Sequence, residues 1–340
     1  MSSPIRLLDG KALGPDASAA EQAAFCDALI EGFSNQGMVK LINHGIPDED
    51  IDGIFRWNRE FFQLPDHVKR SVAHPPRANP NRGWVCAGQE RSDNITDFEK
   101  GVKERVNKDG IFDLKESFDT GAVDDPLYEN KWPTESEFPG FRHAMEGFYD
   151  MCQAVHMGIL KALEQGFRAR GVKVDLVERC RENVSEMRLN YYPEIDIPSL
   201  RTGRMSRISE HTDFGTVTLL FQDSVGGLEV ESQTQPGHYI PVEASSASEI
   251  LVNIGDSLQR LTNDVLTSVS HRVTVPVSEQ DRENGVLAPR YSVAYFAKVA
   301  RHVSLKPMAE FVDELAGRPA KYPDMTAFEW NQIKLQKIYG

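Results

Sequence analysis

Three pairs of polar side chains in the second half of this 340-residue chain are spaced two residues apart: His211 with Asp213, Arg290 with Ser292, and Asn190 with Tyr192. Side chains at i and i+2 of a β-strand point to the same face, so each pair can aim both members into one cavity. Imidazole suits iron, copper and zinc, and one carboxylate adds hard-ligand character. Two histidines and one carboxylate on one face, with other coordination positions open, is the donor set of non-haem Fe(II) oxygenases. His271, in Ser270-His271-Arg272-Val273, supplies the second histidine on a strand-like stretch. Taken alone, His211-Thr212-Asp213 also fits a surface hydrogen-bonded pair. The Arg290 guanidinium is a planar fork that matches a carboxylate. Inside a barrel it would be costly to bury without an anion. With the Ser292 hydroxyl on the same face it reads as a dicarboxylate anchor, and equally as a structural salt bridge to Asp or Glu. His44, His67, His74, His143, His156, His238 and His302 lack such partners and read as structural or exposed. The absence of His-Glu-x-x-His, Gly-x-Gly-x-x-Gly and P-loop patterns argues against zincins and nucleotide cofactors.

To bring these pairs together, the second half must fold as strands. Arg188 to Tyr192, Thr216 to Phe221, Gly227 to Val230, Tyr239 to Val242, Ile250 to Asn253, Ser268 to Val275 and Arg290 to Val299 are β-branched or aromatic runs bounded by turn residues. Their close spacing, with weak helical signal between them, points to a sandwich, jelly roll or barrel. The first half mixes elements. Ile5 to Leu8 reads as an edge strand. Ser18 and Glu21 form a capping-box pattern that opens a helix with Phe25, Ala28, Leu29 and Phe33 on one face, ended by Gly37. Met38 to Ile42 reads as a buried strand, and Pro47 opens a second helix that buries Ile51, Ile54, Phe55 and Phe62. Ala73 to Asp125 reads as long loops. Phe138 to Phe167 is a long amphipathic helix, a further helix is expected around Val174 to Arg181, and the tail from Met308 is expected to be helical, with Met325 to Gly340 either packing over the cavity mouth or completing the core.

Composition bounds the rest. The net charge of -13 repels phosphate backbones and anionic lipid, so neither nucleic acid nor a membrane surface is expected as a partner. Cys26, Cys86, Cys152 and Cys180 are scattered and form no Cys-x-x-Cys pair, which suits a reducing cytoplasm. The first residues carry no long apolar stretch, and no run is long enough to span a bilayer. The expected partner is a small-molecule substrate; oligomeric state is not legible.

Seven ordered segments carry a family resemblance: Asn190-Tyr-Tyr-Pro193, His211-Thr-Asp213, Gly227-Leu-Glu-Val230, Asn253-Ile-Gly-Asp256, Leu261-Thr-Asn-Asp264, Ser270-His-Arg-Val273 and Arg290-Tyr-Ser292. With Asn43-His-Gly-Ile46, Phe61-Phe-Gln-Leu-Pro65 and Arg82-Gly-Trp84, they resemble the isopenicillin N synthase-like family of Fe(II)- and 2-oxoglutarate-dependent dioxygenases. Leu219 to Leu228 and Arg290 to Phe296 are similar to the microbial branch that contains thymine 7-hydroxylase. The resemblance implies a mainly β fold with flanking helices around a double-stranded β-helix, or jelly-roll, core. It implies a non-haem N-terminal region over residues 1–182, the dioxygenase core over 183–300 and a helical cap over 301–340. It implies His211, Asp213 and His271 as iron ligands, Arg290 and Ser292 on the distal carboxylate of 2-oxoglutarate, and Asn190 and Tyr192 helping to hold that cosubstrate. The cofactors would be Fe(II), 2-oxoglutarate and O2. The reaction would oxidise a small organic metabolite, of secondary metabolism, by hydroxylation or by desaturation, epoxidation or ring rearrangement, with release of succinate and CO2. Two rivals remain at this stage: an iron oxidase of the same family that does not consume 2-oxoglutarate, and a non-catalytic jelly-roll binding module. Trp84, where many members have tyrosine, together with Phe118, Tyr191, Phe214 and Phe296, are candidates to line a substrate cavity, and each fits core packing at least as well.

Overall fold

The computed structural model describes residues 5–75, 77, 79–90, 113–201, 206–246 and 248–339. In chain order its strands are β1 (Arg6–Asp9), β2 (Met38–Ile42), β3 (Gly83–Val85), β4 (Glu116–Gly121), β5 (Glu186–Tyr192), β6 (Ile195–Asp196), β7 (Ile208–His211), β8 (Val217–Gln222), β9 (Leu228–Glu231), β10 (Tyr239–Pro241), β11 (Ile250–Ile254), β12 (His271–Val273), β13 (Val286–Leu287) and β14 (Arg290–Phe296). The helices are α1 (Ala19–Gln36), α2 (Asp48–Phe62), α3 (Asp66–Ser71), α4 (Phe141–Ala169), α5 (Leu176–Arg179), α6 (Ile197–Arg201), α7 (Asp256–Leu261) and α8 (Ala327–Tyr339). The fold is the expected jelly-roll core with flanking helices. An eight-stranded sheet runs β1-β2-β11-β8-β14-β5-β4-β3, and a four-stranded sheet runs β10-β9-β12-β7. Apart from the parallel β1–β2 pair, the ladders are antiparallel.

Helix α1 forms where its cap dictates. The Glu21 amide donates to Ser18 Oγ at 3.2 Å, and the Ser18 amide donates back to the Glu21 carboxylate at 2.8 Å. Gly37 ends the helix at φ +67°, a backbone that residues with a Cβ rarely adopt. The apolar face expected for α4 is buried: Phe141, Phe148, Val155, Ile159 and Leu163. It packs against α1 and β8 and belongs to one hydrophobic core that also takes Phe25, Leu29 and Phe33 of α1 and Ile51, Ile54, Phe55 and Phe62 of α2.

Four expectations change. Residues Ala73 to Asp125 are not all loop, because β3 and β4 fall there and extend the main sheet; residues 76, 78 and 91–112 lie outside the described residues. The segment Glu116-Ser-Phe-Asp-Thr-Gly121 is too polar to read as a buried strand, yet all but Glu116 are buried, since Asp119 meets an arginine across the ladder. The helix around Val174 to Arg181 shrinks to α5. Two short helices, α6 and α7, interrupt the strand-rich half. The tail is irregular after a 3-10 turn at Ala309–Phe311 and becomes helical at Ala327.

Candidate metal centre and cosubstrate pocket

His211 closes β7 and His271 opens β12, and the two are direct partners in the antiparallel ladder. Partners in such a ladder project to one side, so the imidazoles lie side by side with ring centroids 4.2 Å apart. Asp213 is not on the strand. It lies two residues past the end of β7, in a turn that is held because the Asp256 amide donates to the Asp213 carbonyl at 2.7 Å. Gly215 permits that turn: a Cβ there would stand 2.0 Å from the Ala297 carbonyl oxygen.

The remaining polar atoms of the three side chains are committed to the protein. His211 Nδ1 lies 2.8 Å from the Ser209 carbonyl and His271 Nδ1 lies 3.2 Å from that of Val269. A carbonyl only accepts, so each Nδ1 carries a proton and donates to it, which leaves each Nε2 turned toward Asp213. Those Nε2 atoms stand 3.9 Å and 3.8 Å from Asp213 Oδ1. The other carboxylate oxygen, Oδ2, accepts from Thr218 Oγ1 and Asn253 Nδ2, each at 2.7 Å. All candidate donor atoms lie within 4.8 Å of one another. Burial, followed by the neighbouring His271, holds the His211 pKa down to about 3, so its ring is neutral. Burial alone would raise Asp213, but the attraction between its carboxylate and any proton on the neighbouring His271 and His211, with the Thr218 and Asn253 hydrogen bonds, outweighs it and holds Asp213 below its ordinary value. Two imidazole nitrogens and one carboxylate oxygen, each side chain fixed from behind, fit Fe(II).

The second cluster stands on β5, β14 and β8. Tyr192 pairs with Arg290 and Asn190 with Ser292 in register, and Ser292 also pairs with Gln222. Asn190 Nδ2 donates to Ser292 Oγ at 3.4 Å. Arg290 is 1% exposed. Its Nη2 donates to Gln222 Oε1 at 2.9 Å, and its guanidinium lies 5.0 Å from the Tyr192 ring centroid. Nε and Nη1 have no partner among the described residues. A structural salt bridge is thus not what Arg290 makes there. A buried guanidinium with two idle donors fits the distal carboxylate of a 2-oxo dicarboxylic acid.

Several residues that matter carried no signal of their own in the sequence. Thr218, Gln222 and Asn58 gain roles only from register; Asn58 Nδ2 donates to the Ser292 carbonyl at 3.0 Å and so ties α2 to β14. Asn253 sat in a motif that signalled the family but not this contact. On the same face as Asn190, Arg188 bonds Asp119 at 2.7 Å and Glu90 at 2.9 Å. Burial pushes the Asp119 pKa up to about 6 against the opposing pull of Arg188. Of the aromatic lining candidates, Phe118 is core, packed 4.4 Å from Phe61, and Tyr191 stacks on Phe62 and Tyr291 on the opposite face of β5 from Asn190. Trp84 is buried and its Nε1 donates to Glu116 at 2.7 Å. Phe296 shares the face of Arg290 and Ser292. Among the described residues, no helix is long and apolar enough to cross a membrane.

Comparison with known proteins follows the same lines. Residues 183–299 match the family described as the 2OG-Fe(II) oxygenase superfamily, and residues 5–135 match the family described as non-haem dioxygenase in morphine synthesis N-terminal. The 2-oxoglutarate-Fe(II) type oxidoreductase ppzD of Metarhizium rileyi is 48% identical, with 93% of this chain and 86% of that protein covered. The proline hydroxylase buaE of Petromyces alliaceus is 46% identical, with 94% of each chain covered. Among solved structures, full-length thymine 7-hydroxylase of Neurospora crassa in complex with alpha-KG superposes with a TM-score of 0.81 at 29% identity, covering 97% of this chain and 95% of that one. The same protein has also been solved with alpha-KG and thymine.

Proposed function

Because the chain belongs to the 2OG-Fe(II) oxygenase superfamily and is a 2-oxoglutarate-dependent dioxygenase acting on a small metabolite, we propose that His211, Asp213 and His271 hold the iron and that Arg290 and Ser292 hold the distal carboxylate of 2-oxoglutarate. The observation that carries this is the pairing of a three-donor cluster whose spare atoms are tied down with a buried arginine whose donors are idle. When bound, Fe(II) with O2 and 2-oxoglutarate supplies the oxidant that attacks a substrate C–H bond, with succinate and CO2 as products. The chain's own residues do the rest. Ser209 and Val269 fix the imidazole tautomers through their carbonyls. Thr218 and Asn253 aim Asp213. Arg290, steadied by Gln222 and Tyr192, sets the depth at which the cosubstrate sits, and Asn190 orients the Ser292 hydroxyl. The rival without 2-oxoglutarate is disfavoured by the relatives' names and by the idle Arg290 donors.

The substrate we propose is a small, polar, ring-containing metabolite, with hydroxylation of a ring or ring-substituent carbon as the outcome. Relatives named for proline and thymine support this, as does the charged wall formed by Arg188, Asp119 and Glu90 beside Asn190. Residues 1–182, 183–300 and 301–340 are read as parts of one catalytic unit. Reduced, separate cysteines support a cytoplasmic setting. The test is succinate release from 2-oxoglutarate with a panel of proline-type amino acids, pyrimidines and apolar controls. Stimulation by a polar ring compound is expected; stimulation by the apolar controls alone would overturn the substrate class.

A further inference from the structure

A second arginine lies at the same end of the site and belongs to none of the sequence patterns above. Arg207 stands just before β7 and is fully buried. It is four residues before the ligand His211. Its Nη2 donates at 2.5 Å to the carbonyl of Ala288, two residues before Arg290. That bond brings its guanidinium to the entry of β14, beside Arg290. Its Nε and Nη1 have no partner among the described residues. Two buried guanidiniums, each with two idle nitrogens, therefore stand at the entry of β14, near enough for the charge of Arg290 to act on Arg207.

Buried cations without an anion are expensive, and two side by side repel each other. The strain shows in Arg207, whose pKa is pulled down to about 10 by burial and then by Arg290. Asp223, which acts on Arg207 from nearby, is already engaged: its carboxylate accepts from the Tyr291 amide at 2.6 Å and the Val225 amide at 3.1 Å. Asp223 acts on Arg207 only from a distance, and neither guanidinium forms an ion pair among the described residues, so an anion from outside would complete the arrangement.

We propose that Arg207 is a second cationic anchor for the cosubstrate, forming with Arg290 a two-guanidinium pocket for the distal carboxylate of 2-oxoglutarate. The inference rests on the reading of Arg290 given above. It makes Arg207 a specificity-determining residue: the pocket selects 2-oxo acids that carry a second carboxylate at the far end.

The test measures 2-oxoglutarate binding to the Mn(II)-loaded protein by calorimetry, with oxalate as a ligand that chelates the metal but has no distal carboxylate. Arg207→Met should weaken 2-oxoglutarate about 10- to 100-fold, the loss of one or two charge-assisted hydrogen bonds, and leave oxalate unchanged. The ligand-free variant should melt no lower than wild type, because an unpaired buried charge has been removed. Arg207→Lys, which keeps the charge but loses the fork, should fall between. Wild-type affinity for 2-oxoglutarate in Arg207→Met or, should that variant not fold, in Arg207→Lys would overturn the proposal and leave Arg207 structural. An equal loss for oxalate would also overturn it. If Arg290→Gln binds 2-oxoglutarate normally, the underlying assignment of Arg290 fails as well.

Discussion

The side-chain amide of Asn253 donates to Asp213 Oδ2 at 2.7 Å from the middle of the main sheet. Its ladder partner Thr218 donates to the same oxygen at the same distance. Two donors on neighbouring strands thus fix one carboxylate before any metal arrives. Asn253→Leu and Thr218→Val should each weaken Fe(II) binding by about 10- to 100-fold while the fold persists. Competition with a fluorescent chelator measures this. Unchanged affinity in both variants would mean that the metal alone orients Asp213.

Removing a donor outright should be more severe. His211→Ala, Asp213→Ala and His271→Ala should each lose stoichiometric Fe(II) under anaerobic conditions, and with it turnover. Metal analysis alongside succinate release checks this. Near wild-type activity in these variants would remove the triad assignment.

If Arg290 holds the distal carboxylate as proposed, Arg290→Gln should break a buried charged pair, a loss of about 3–5 kcal/mol. The apparent constant for 2-oxoglutarate should rise roughly 10²- to 10³-fold, with iron binding nearly unchanged. Arg290→Lys should be milder, because a point charge cannot reproduce the fork. Ser292→Ala should cost about 1.5–3 kcal/mol for one hydrogen bond to a charged group. Titration of 2-oxoglutarate at fixed metal separates the three.

His156 lies fully buried in α4, with Nε2 3.1 Å from Thr216 Oγ1. Burial holds its pKa down to about 3, from an ordinary value of 6.5. The unfolded chain binds this proton between those values and the folded chain does not, so stability is complete above pH 6.5 and falls as the pH drops toward 3. The full shift corresponds to about 4–5 kcal/mol. His156→Gln should flatten that limb of the stability profile, read by denaturant unfolding at several pH values. A variant whose profile keeps the wild-type slope would assign the acid sensitivity to other groups.

The C-terminal helix is docked through its interior face. Lys334 is fully buried, with Nζ 2.8 Å from Asp256, a carboxylate that also accepts from Thr212 and Ser268. Trp330 and Leu335 are buried beside it. Lys334→Met leaves the carboxylate without its cation and should lower stability by about 3–5 kcal/mol. A thermal melt measures this directly. Removal of the chain after Pro323 should destabilise in the same way; a truncated chain that melts like the full one would show that α8 only covers the site.

The proposed iron donors and Arg290 were legible because their residue types are rare in a β interior without a reason. His211, Asp213 and His271 announce themselves by chemistry, and i, i+2 spacing brought Arg290 and Ser292 to one face. The supporting residues were silent for a physical reason. Asn253, Thr218 and Gln222 are ordinary polar residues until strand register sets them against Asp213 and Arg290, and register is a property of pairs of distant segments. The same holds for β4, whose Asp119 looks like a loop residue until Arg188 lies opposite it. The His211–Asp213 pair was read correctly as convergent but by the wrong local route, since a glycine-permitted turn rather than a continuous strand delivers Asp213.

The order of strands in the main sheet has a consequence for the chain as it is synthesised. Val39 in β2 lies against Val252 in β11, so more than 200 residues must leave the ribosome before β2 meets its antiparallel neighbour. At about 5–20 residues per second, that wait is roughly 10–40 s. The segments of β3 and β4 wait in turn for β5. The nascent chain therefore carries apolar β2, Met-Val-Lys-Leu-Ile, with only β1 as a strand partner and α1 against it for most of its translation. During that interval a holding chaperone would have an extended hydrophobic segment to grip, and slow codons placed before β11 would lengthen the exposure.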